Sequence, residues 1–296
     1  MVLEVLRQAG IDDITVGQAK KALEQAGLSG QIKECYPLKR GMTNSLFYFS
    51  TDEGAYLLRI PGAGSEKLVD RKQEAAVYQL LAGENITDPV IYIDPVSGIK
   101  ITEYLSEAKV CDVADAEQVR RCMRHLCHFH ALQLQTQNRF ELFRKIEEYE
   151  AVCLHSLEIL PDYKRLRERI MALEKEISKI PGEECLCHID AVSDNFLLRR
   201  GKIHLIDWEY AAVCDPHIDI AMFCIYAGYG KGKIDETIDF YFKNTCDERV
   251  RKKIYMYIAA CGFLWTIWCE IKKDSGIDYG EYEKQQYDYA KEFLEI

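Results

Sequence analysis

His188-Ile-Asp190-Ala-Val-Ser-Asp-Asn195-Phe-Leu-Leu-Arg-Arg200-Gly-Lys-Ile-His-Leu-Ile-Asp207-Trp-Glu209 is the stretch on which the reading of this chain turns. Cys185-Leu-Cys187 enters it as a short apolar run, and Asn195-Phe-Leu-Leu198 leaves the loop as a second. Arg200-Gly201-Lys202 reads as a tight turn into a further strand over residues 203–206, where apolar and polar residues alternate. Such a hairpin sets Asn195 at the start of one strand and Asp207 at the end of its partner, side by side. Phosphoryl transfer needs a carboxylate to orient and deprotonate the attacking hydroxyl, and oxygen ligands to hold Mg²⁺ against the phosphates. Asp190 fits the base, and Asn195 and Asp207 fit the metal ligands. His188 is read as packing and hydrogen-bonding the loop backbone, since Asp190 already supplies a base.

The rest of the chain is consistent with an enzyme acting on a small molecule. Its 296 residues suffice for one large core or two modest ones, and 48% hydrophobic with 29% charged residues describes a globular protein. A formal charge of −10 disfavours a nucleic-acid footprint and mildly favours a cationic substrate. Met1-Val-Leu-Glu-Val-Leu-Arg interrupts its apolar run with charge almost at once, so no secretory or transit signal is read and a cytoplasmic enzyme is expected. In that compartment the twelve cysteines are reduced, buried, small hydrophobes, and no disulfide framework is implied. Cys122-x-x-His125-x-Cys127-His128-x-His130 lacks a helical face with enough ligands to close a tetrahedron. No second half follows it downstream, and Cys185-x-Cys187 alternates on a strand, so both are assigned structural roles. The longest uncharged run, Ile254 to Cys269, has sixteen residues and falls short of the ~20 that span a bilayer. It reads as a buried helix, with no membrane span.

Along the chain, residues 1–30 look like an amphipathic helical extension, started by a cap at Thr15 and stopped by Gly27 and Gly30. Strands follow over 32–38, 46–49 and 56–60, then a helix over 69–81 and strands over 90–93 and 98–105. Beyond Ser106 helices are expected over 116–135, 140–160, 164–179, 218–226, 235–244, 248–272 and 279–294, broken by the hairpin. This pattern gives an α+β protein of two lobes, 1–105 and 106–296, with the active cleft between them. The first lobe is an antiparallel sheet with one main helix; the second is mostly helical and carries the catalytic β-hairpin.

Three features of the first lobe suit a nucleotide. Arg40-Gly41-Met42-Thr43-Asn44 lies between two strands, where glycine lets backbone approach a phosphate; an ordinary hairpin loop would look the same. Arg59, in the apolar strand Leu57-Leu-Arg-Ile60, needs a partner, and Glu74 on the next helix is the natural one. Together they resemble the cation–carboxylate pair that kinases use on the α- and β-phosphates, the other reading being a purely structural ion pair. Glu103-Tyr104-Leu105 closes the lobe as a hinge whose backbone could bond adenine, or as a plain connecting strand.

On the acceptor side, Trp265 and Trp268 share one helical face, with Tyr257 and Cys261 on the turns before. Two such indoles are ordinarily core; the alternative is an aromatic wall for a quaternary ammonium, each well-placed ring contributing ~0.5–2 kcal/mol. Trp208, Tyr210, Tyr226 and Tyr229 follow close after Asp207, where a polyhydroxyl acceptor would call for carboxylates and amides.

Gly41-Met-Thr-Asn44, Leu57-Leu-Arg-Ile-Pro-Gly62, His188-x-Asp190-x4-Asn195, Ile206-Asp-Trp-Glu-Tyr210 and Leu264-Trp-x-x-Trp268, in this order, resemble the choline/ethanolamine kinase family, and within it the bacterial LicA-type branch. The likeness runs from about Leu38 to the C-terminus. It implies the protein-kinase-like fold of aminoglycoside phosphotransferases, ATP and Mg²⁺ as cofactors, choline as substrate and phosphocholine as product. It further implies Asp190 as base, Asn195 and Asp207 as magnesium ligands, and Arg59 on the nucleotide phosphates. Trp265 and Trp268 would line the choline pocket, with Tyr210 and Tyr226 near the ammonium. Eukaryotic relatives carry a polar residue where Val192 stands and a carboxylate where Tyr226 stands. The alternatives are a kinase for ethanolamine, another amino alcohol or an aminoglycoside, and a catalytically silent choline-binding module on the same fold. No oligomeric state follows from the sequence.

Overall fold

The computed structural model describes residues 1–28, 30, 32–40, 44–62, 69–274 and 276–295. Gly41 and Thr43, expected in the phosphate loop, lie outside the described residues. The chain divides into two compact units: Met1–Lys109 with Leu197–Ala211, and Val110–Phe196 with Ala212–Ile296. Where the sequence reading put all of 106–296 in one lobe, the segment Leu197–Ala211 belongs with the first unit. Hydrogen bonds within that unit hold it: Leu205 N donates to Ile86 O at 2.9 Å and Arg199 Nε to Ser106 O at 3.0 Å.

In the first unit, α1 (Val2–Gln8) and α2 (Asp13–Gln25) precede an antiparallel sheet. Its strands are β1 (Glu34–Arg40), β2 (Asn44–Ser50), β3 (Ala55–Pro61), β4 (Val90–Ile93) and β5 (Lys100–Glu103), in the order β1-β2-β3-β5-β4. Between β3 and β4 runs α3 (Arg71–Leu80), started by Asp70, whose carboxylate accepts from the amides of Lys72 and Gln73. The cap of α2 is Asp12 rather than the expected Thr15: its carboxylate takes the amides of Ile14 and Thr15, both at 3.0 Å.

Strand alternation gives the sheet two faces of different chemistry. Phe47, Phe49, Leu58, Ile60 and Ile101 share one core with Val2, Leu6, Val16, Ala19 and Leu23, so the N-terminal helices cover that face. Residues 1–28 are therefore part of the fold, and truncating a side chain such as Phe47 to alanine would cost about 3–5 kcal/mol. The opposite face carries Arg59, which pairs across the ladder with Leu46 on β2 and Lys100 on β5.

The remaining elements are β6 (Lys109–Val110), α4 (Ala116–Ala131), α5 (Leu142–Val152), α6 (Tyr163–Ile177), β7 (Cys185–Cys187), β8 (Phe196–Arg199), β9 (Lys202–Leu205), β10 (Ala212–Cys214), α7 (His217–Tyr226), α8 (Lys231–Phe242), α9 (Glu248–Lys273) and α10 (Glu281–Glu292). The single helix expected over 140–160 stops at Val152, because Cys153 turns extended and Asp274 takes the amide of Leu154 at 2.9 Å. A 3-10 turn, Leu157–Ile159, follows. Strand β10 was not foreseen; it is three residues long and pairs antiparallel with β7, Ala212 opposite Cys187.

Helix α9 forms the spine of the second unit. Most of its apolar stretch is buried there, as a core helix rather than a bilayer span would be. Gly262 lets α10 approach closely, since a Cβ at that position would stand 2.7 Å from Gln286 O. All twelve cysteines are free thiols.

Candidate active site

The polar face of the first unit's sheet concentrates charge where water scarcely reaches. Arg59, 4% exposed, donates through Nη1 and Nη2 to the carboxylate oxygens of the fully buried Glu74 at 2.5 and 2.7 Å, and also to Gly98 O at 3.0 Å. Burial disfavours the charge on Arg59, but the Glu74 carboxylate more than offsets this and raises the guanidinium above its ordinary value. Burial likewise pushes Glu74 up, and Arg59 brings it below the usual carboxylate range.

Two further buried cations join the pair. Arg71 Nη1 lies 3.0 Å from Glu74 and 3.2 Å from Glu209, so it links α3 to the segment after Asp207. Lys100 reaches to 3.9 Å from Glu74, donates to the Tyr78 hydroxyl, and is pushed down by burial and then by Arg59. Asn44 Nδ2 meets the same Glu209 carboxylate at 3.4 Å. Burial and then the neighbouring Asp207 raise Glu209. Three buried cations thus gather with the acids that fix them.

Asp207 stands two residues past the end of β9 with φ of 69°, a left-handed conformation uncommon for a non-glycine residue. Among the described residues its buried Oδ1 has no hydrogen-bond partner, and Arg59 Nη1 stands 3.6 Å from it. Trp208 anchors the turn: fully buried, it donates Nε1–H to Leu205 O at 2.8 Å and to Thr87 Oγ1 at 3.1 Å. It is therefore core, not part of an acceptor wall. Tyr210, half-buried, belongs to this first unit.

The hinge residues behave differently from a row of open backbone donors. The Glu103 amide is spent on Pro89 O at 3.0 Å and that of Tyr104 on Ala55 O at 2.8 Å. The Tyr104 ring lies edge-on to Tyr48, which stacks on Tyr36, and Tyr48 and Tyr36 share the sheet face of Arg59.

In the second unit the loop after β7 is held from beneath. Asp219, fully buried on α7, accepts the amides of His188 at 2.8 Å and Ile189 at 2.7 Å. Its Oδ2 also meets His130 Nε2 at 3.0 Å, and His130 Nδ1 meets the Tyr241 hydroxyl at 2.8 Å. His188 is itself fully buried, and Asp190 is half-exposed beyond it. Asn195, in the 3-10 turn just before β8, donates its amide hydrogens to Asp190 O at 2.9 Å and Asp190 Oδ2 at 3.1 Å. That leaves the Asn195 carbonyl oxygen as the amide's remaining ligand atom.

Each by itself offers the hard oxygen that Mg²⁺ takes: Asp207, in the first unit, a buried carboxylate oxygen, and Asn195, in the second, an amide oxygen.

Aromatic rings lead away from this loop within the same unit. Trp265 and Trp268 are half-buried while α9 around them is buried. Their centroids are 5.1 Å apart at an interplanar angle of 84°; Tyr279 follows at 5.1 Å from Trp268, and Tyr282 at 6.2 Å from Tyr279. Tyr226 stands 6.3 Å beyond and donates its hydroxyl to Asp194 Oδ2 at 2.9 Å. Burial raises the phenol pKa values of Tyr226 and Tyr282, and the nearby charge of Asp190 adds to both. Tyr257 and Cys261 are core, and Tyr229 is buried with its hydroxyl on Val113 O.

Sequence reasoning missed several of these residues. Asp219 is a lone carboxylate in the apolar run Ile218-Asp-Ile-Ala-Met-Phe-Cys-Ile225, a signal that a buried charge awaited partners. Lys100 announced itself only through strand register, and Tyr279 and Tyr282 through a spacing of three.

The fold and these residues define a class: a phosphotransferase of the kinase-like fold shared with aminoglycoside phosphotransferases. The solved structure of aminoglycoside phosphotransferase APH(4)-Ia aligns at a TM-score of 0.68 with 14% identity, over 96% of this chain and 99% of that one. The choline kinase LicA from Streptococcus pneumoniae aligns at 0.79 with 25% identity, over 94% of this chain and 99% of that one. Protein LicA of Haemophilus influenzae is 26% identical over 271 residues, covering 86% of this chain and 99% of that protein. The model of the choline/ethanolamine kinase family matches residues 35–244, and the chain is a kinase belonging to that family.

Proposed function

We propose that this kinase transfers the γ-phosphoryl group of ATP to the hydroxyl of choline, giving phosphocholine and ADP, as a cytoplasmic enzyme. The observation that carries choline over other amino alcohols is the ring series Trp265, Trp268, Tyr279, Tyr282 and Tyr226, in the same unit as Asp190. A trimethylammonium offers no N–H to donate, so ring faces stabilise it where a primary ammonium would call for directed acceptors. Asp190 orients the choline hydroxyl and takes its proton, with Asn195 Nδ2 fixing the carboxylate at 3.1 Å.

Arg59, held by Glu74, contacts the nucleotide phosphates, and Lys100 adds positive charge on the same face. With the amides of Glu103 and Tyr104 already committed, the adenine edge is left the Leu105 N–H. Asn195 and Asp207 would hold Mg²⁺, which neutralises charge on the phosphates when bound. The reading is tested by ADP release over choline, dimethylaminoethanol, ethanolamine and an aminoglycoside, together with Asp190→Ala. Choline should give the highest kcat/KM, and Asp190→Ala should lose about 10²–10⁴ in turnover while still binding ATP. A strong ethanolamine preference would overturn the choline assignment, and a fully active Asp190→Ala the base.

A further inference from the structure

We propose that Cys153, His155 and Asp274 form a zinc site, separate from the phosphotransfer residues. The three lie where the chain leaves α5 and where α9 ends: Cys153 is the C-cap of α5 and Asp274 that of α9. Their ligand atoms all fall within 4.8 Å of one another. His155 Nδ1 is 3.9 Å from Cys153 Sγ and 2.8 Å from Asp274 Oδ1. Tetrahedral zinc with Zn–S ~2.3, Zn–N ~2.05 and Zn–O ~2.1 Å separates S from N by about 3.6 Å and N from O by about 3.4 Å. A coordination shell would draw Sγ and Nδ1 together by about 0.3 Å, part Nδ1 from Oδ1 by about 0.6 Å, and bring the thiol and carboxylate, now within 4.8 Å, to about 3.6 Å.

The surroundings argue for a ligand set rather than a chance meeting of polar groups. His155 has its other nitrogen, Nε2, 2.6 Å from Oε2 of the buried Glu270, and Lys273 holds that carboxylate at 3.0 Å. A carboxylate on the far nitrogen of a ligating histidine fixes its tautomer and ring plane and makes Nδ1 the better donor. Asp274 is oriented in its turn, since its Oδ2 accepts the Leu154 amide at 2.9 Å and leaves Oδ1 towards the imidazole. Cys153 is extended and the chain bends at Leu154 and His155, a turn within which the Cys-x-His sulfur and nitrogen come to 3.9 Å. Thiolate, imidazole and carboxylate select zinc over magnesium or calcium, and the fourth position is left to water. Coordination releases the thiol proton and ties the end of α5 to the end of α9.

The competing account is a protonated imidazole bridging two carboxylates, in which Cys153 plays no part. Cys153→Ala separates the two, because it leaves both His155–carboxylate contacts in place. The full chain, stripped with a chelator, is titrated with zinc against a chromophoric zinc chelator in excess magnesium, and with cobalt(II) by absorbance. One equivalent of zinc should bind, cobalt should give a sulfur-to-metal charge-transfer band, and zinc should raise the melting temperature. Cys153→Ala should lose the band and the zinc-dependent rise while its metal-free melt matches the parent. Cys127→Ala and Cys246→Ala, at the two other partly buried thiols of this unit, should keep both. Failure of the chain to compete for zinc, an undiminished Cys153→Ala, or loss tracking Cys127 or Cys246 would each overturn the proposal.

Discussion

Asp219 Oδ1 accepts the amide hydrogen of Ile189 at 2.7 Å, and Ile189 has φ of 71°. A β-branched residue in the left-handed region is strained by about 1–3 kcal/mol, and persists only where its surroundings over-determine it. Here the determinant is a buried carboxylate bonded to two successive amides, His188 and Ile189, immediately before Asp190. The position of the proposed base thus depends on a residue 29 positions further on, in another element. Asp219→Asn keeps the size of the side chain but turns an amide hydrogen towards a backbone donor or the imidazole of His130. It should destabilise the second unit by about 1–3 kcal/mol and lower kcat even where the variant is fully folded. Urea melts and rates at a temperature well below the transition check this. Unchanged kcat in the folded variant would show that the clamp does not position Asp190.

Arg59 and Glu74 make the second prediction. Glu74→Gln leaves a buried guanidinium facing a neutral amide with Arg71 and Lys100 close by, so three cations lose the acid between them. Breaking a buried pair from one side costs about 3–5 kcal/mol, more than replacing both partners with well-packed apolar groups. The measured stability loss of Glu74→Gln should therefore exceed that of an Arg59→Met, Glu74→Leu double variant, although only the double variant removes the proposed phosphate contact. A double variant that still binds ATP as tightly as the parent would remove Arg59 from the nucleotide site.

The hairpin strands were legible because they are local. Asp190, Asn195 and Asp207 sit at turns whose boundaries follow from apolar alternation and from the Arg200-Gly201-Lys202 turn, and β8 and β9 formed within a residue of the expected ends. Arg59 and Glu74 were legible for a different reason: a charge inside an apolar strand demands a partner, and the following helix offered one. What stayed hidden is non-local. Strand β10 is three residues long and exists through pairing with β7. Likewise, residues 1–28 showed amphipathic faces but not that those faces cover Phe47 and Phe49.

Asp215 should contribute to the acid sensitivity of the second unit. Burial would raise its pKa from the ordinary 3.8, but His217 and the buried Lys253 reverse this and bring it well below. A carboxyl depressed on folding contributes stability that is full above the unfolded value and fades as pH falls from there through the folded value. The contribution should be intact at neutral pH and begin to fall below about pH 4. Asp215→Asn should lower stability at neutral pH by about 3–5 kcal/mol, since Lys253 is left charged and buried, and should flatten the acid branch. Chemical denaturation across the acid range measures both. A variant with the parent's slope would assign the acid branch to other carboxylates.

Trp268 and Tyr282 separate an acceptor wall from ordinary packing. Trp268 joins Trp265 to Tyr279, and Tyr282 joins Tyr279 to Tyr226, so each variant opens the ring series at a different point. If the rings hold a trimethylammonium, each contributes about 0.5–2 kcal/mol, or roughly a 2- to 30-fold rise in KM for choline on replacement. Trp268→Ala and Tyr282→Ala should show that rise with the KM for ATP little changed. Tyr282→Phe, which keeps the ring and loses only the hydroxyl, should bind choline nearly as the parent does. The size of the effect should also shrink from choline to dimethylaminoethanol to ethanolamine, because each lost methyl trades ring contact for an N–H that the wall cannot accept. Equal rises for choline and ATP in both alanine variants would make these rings part of the core instead.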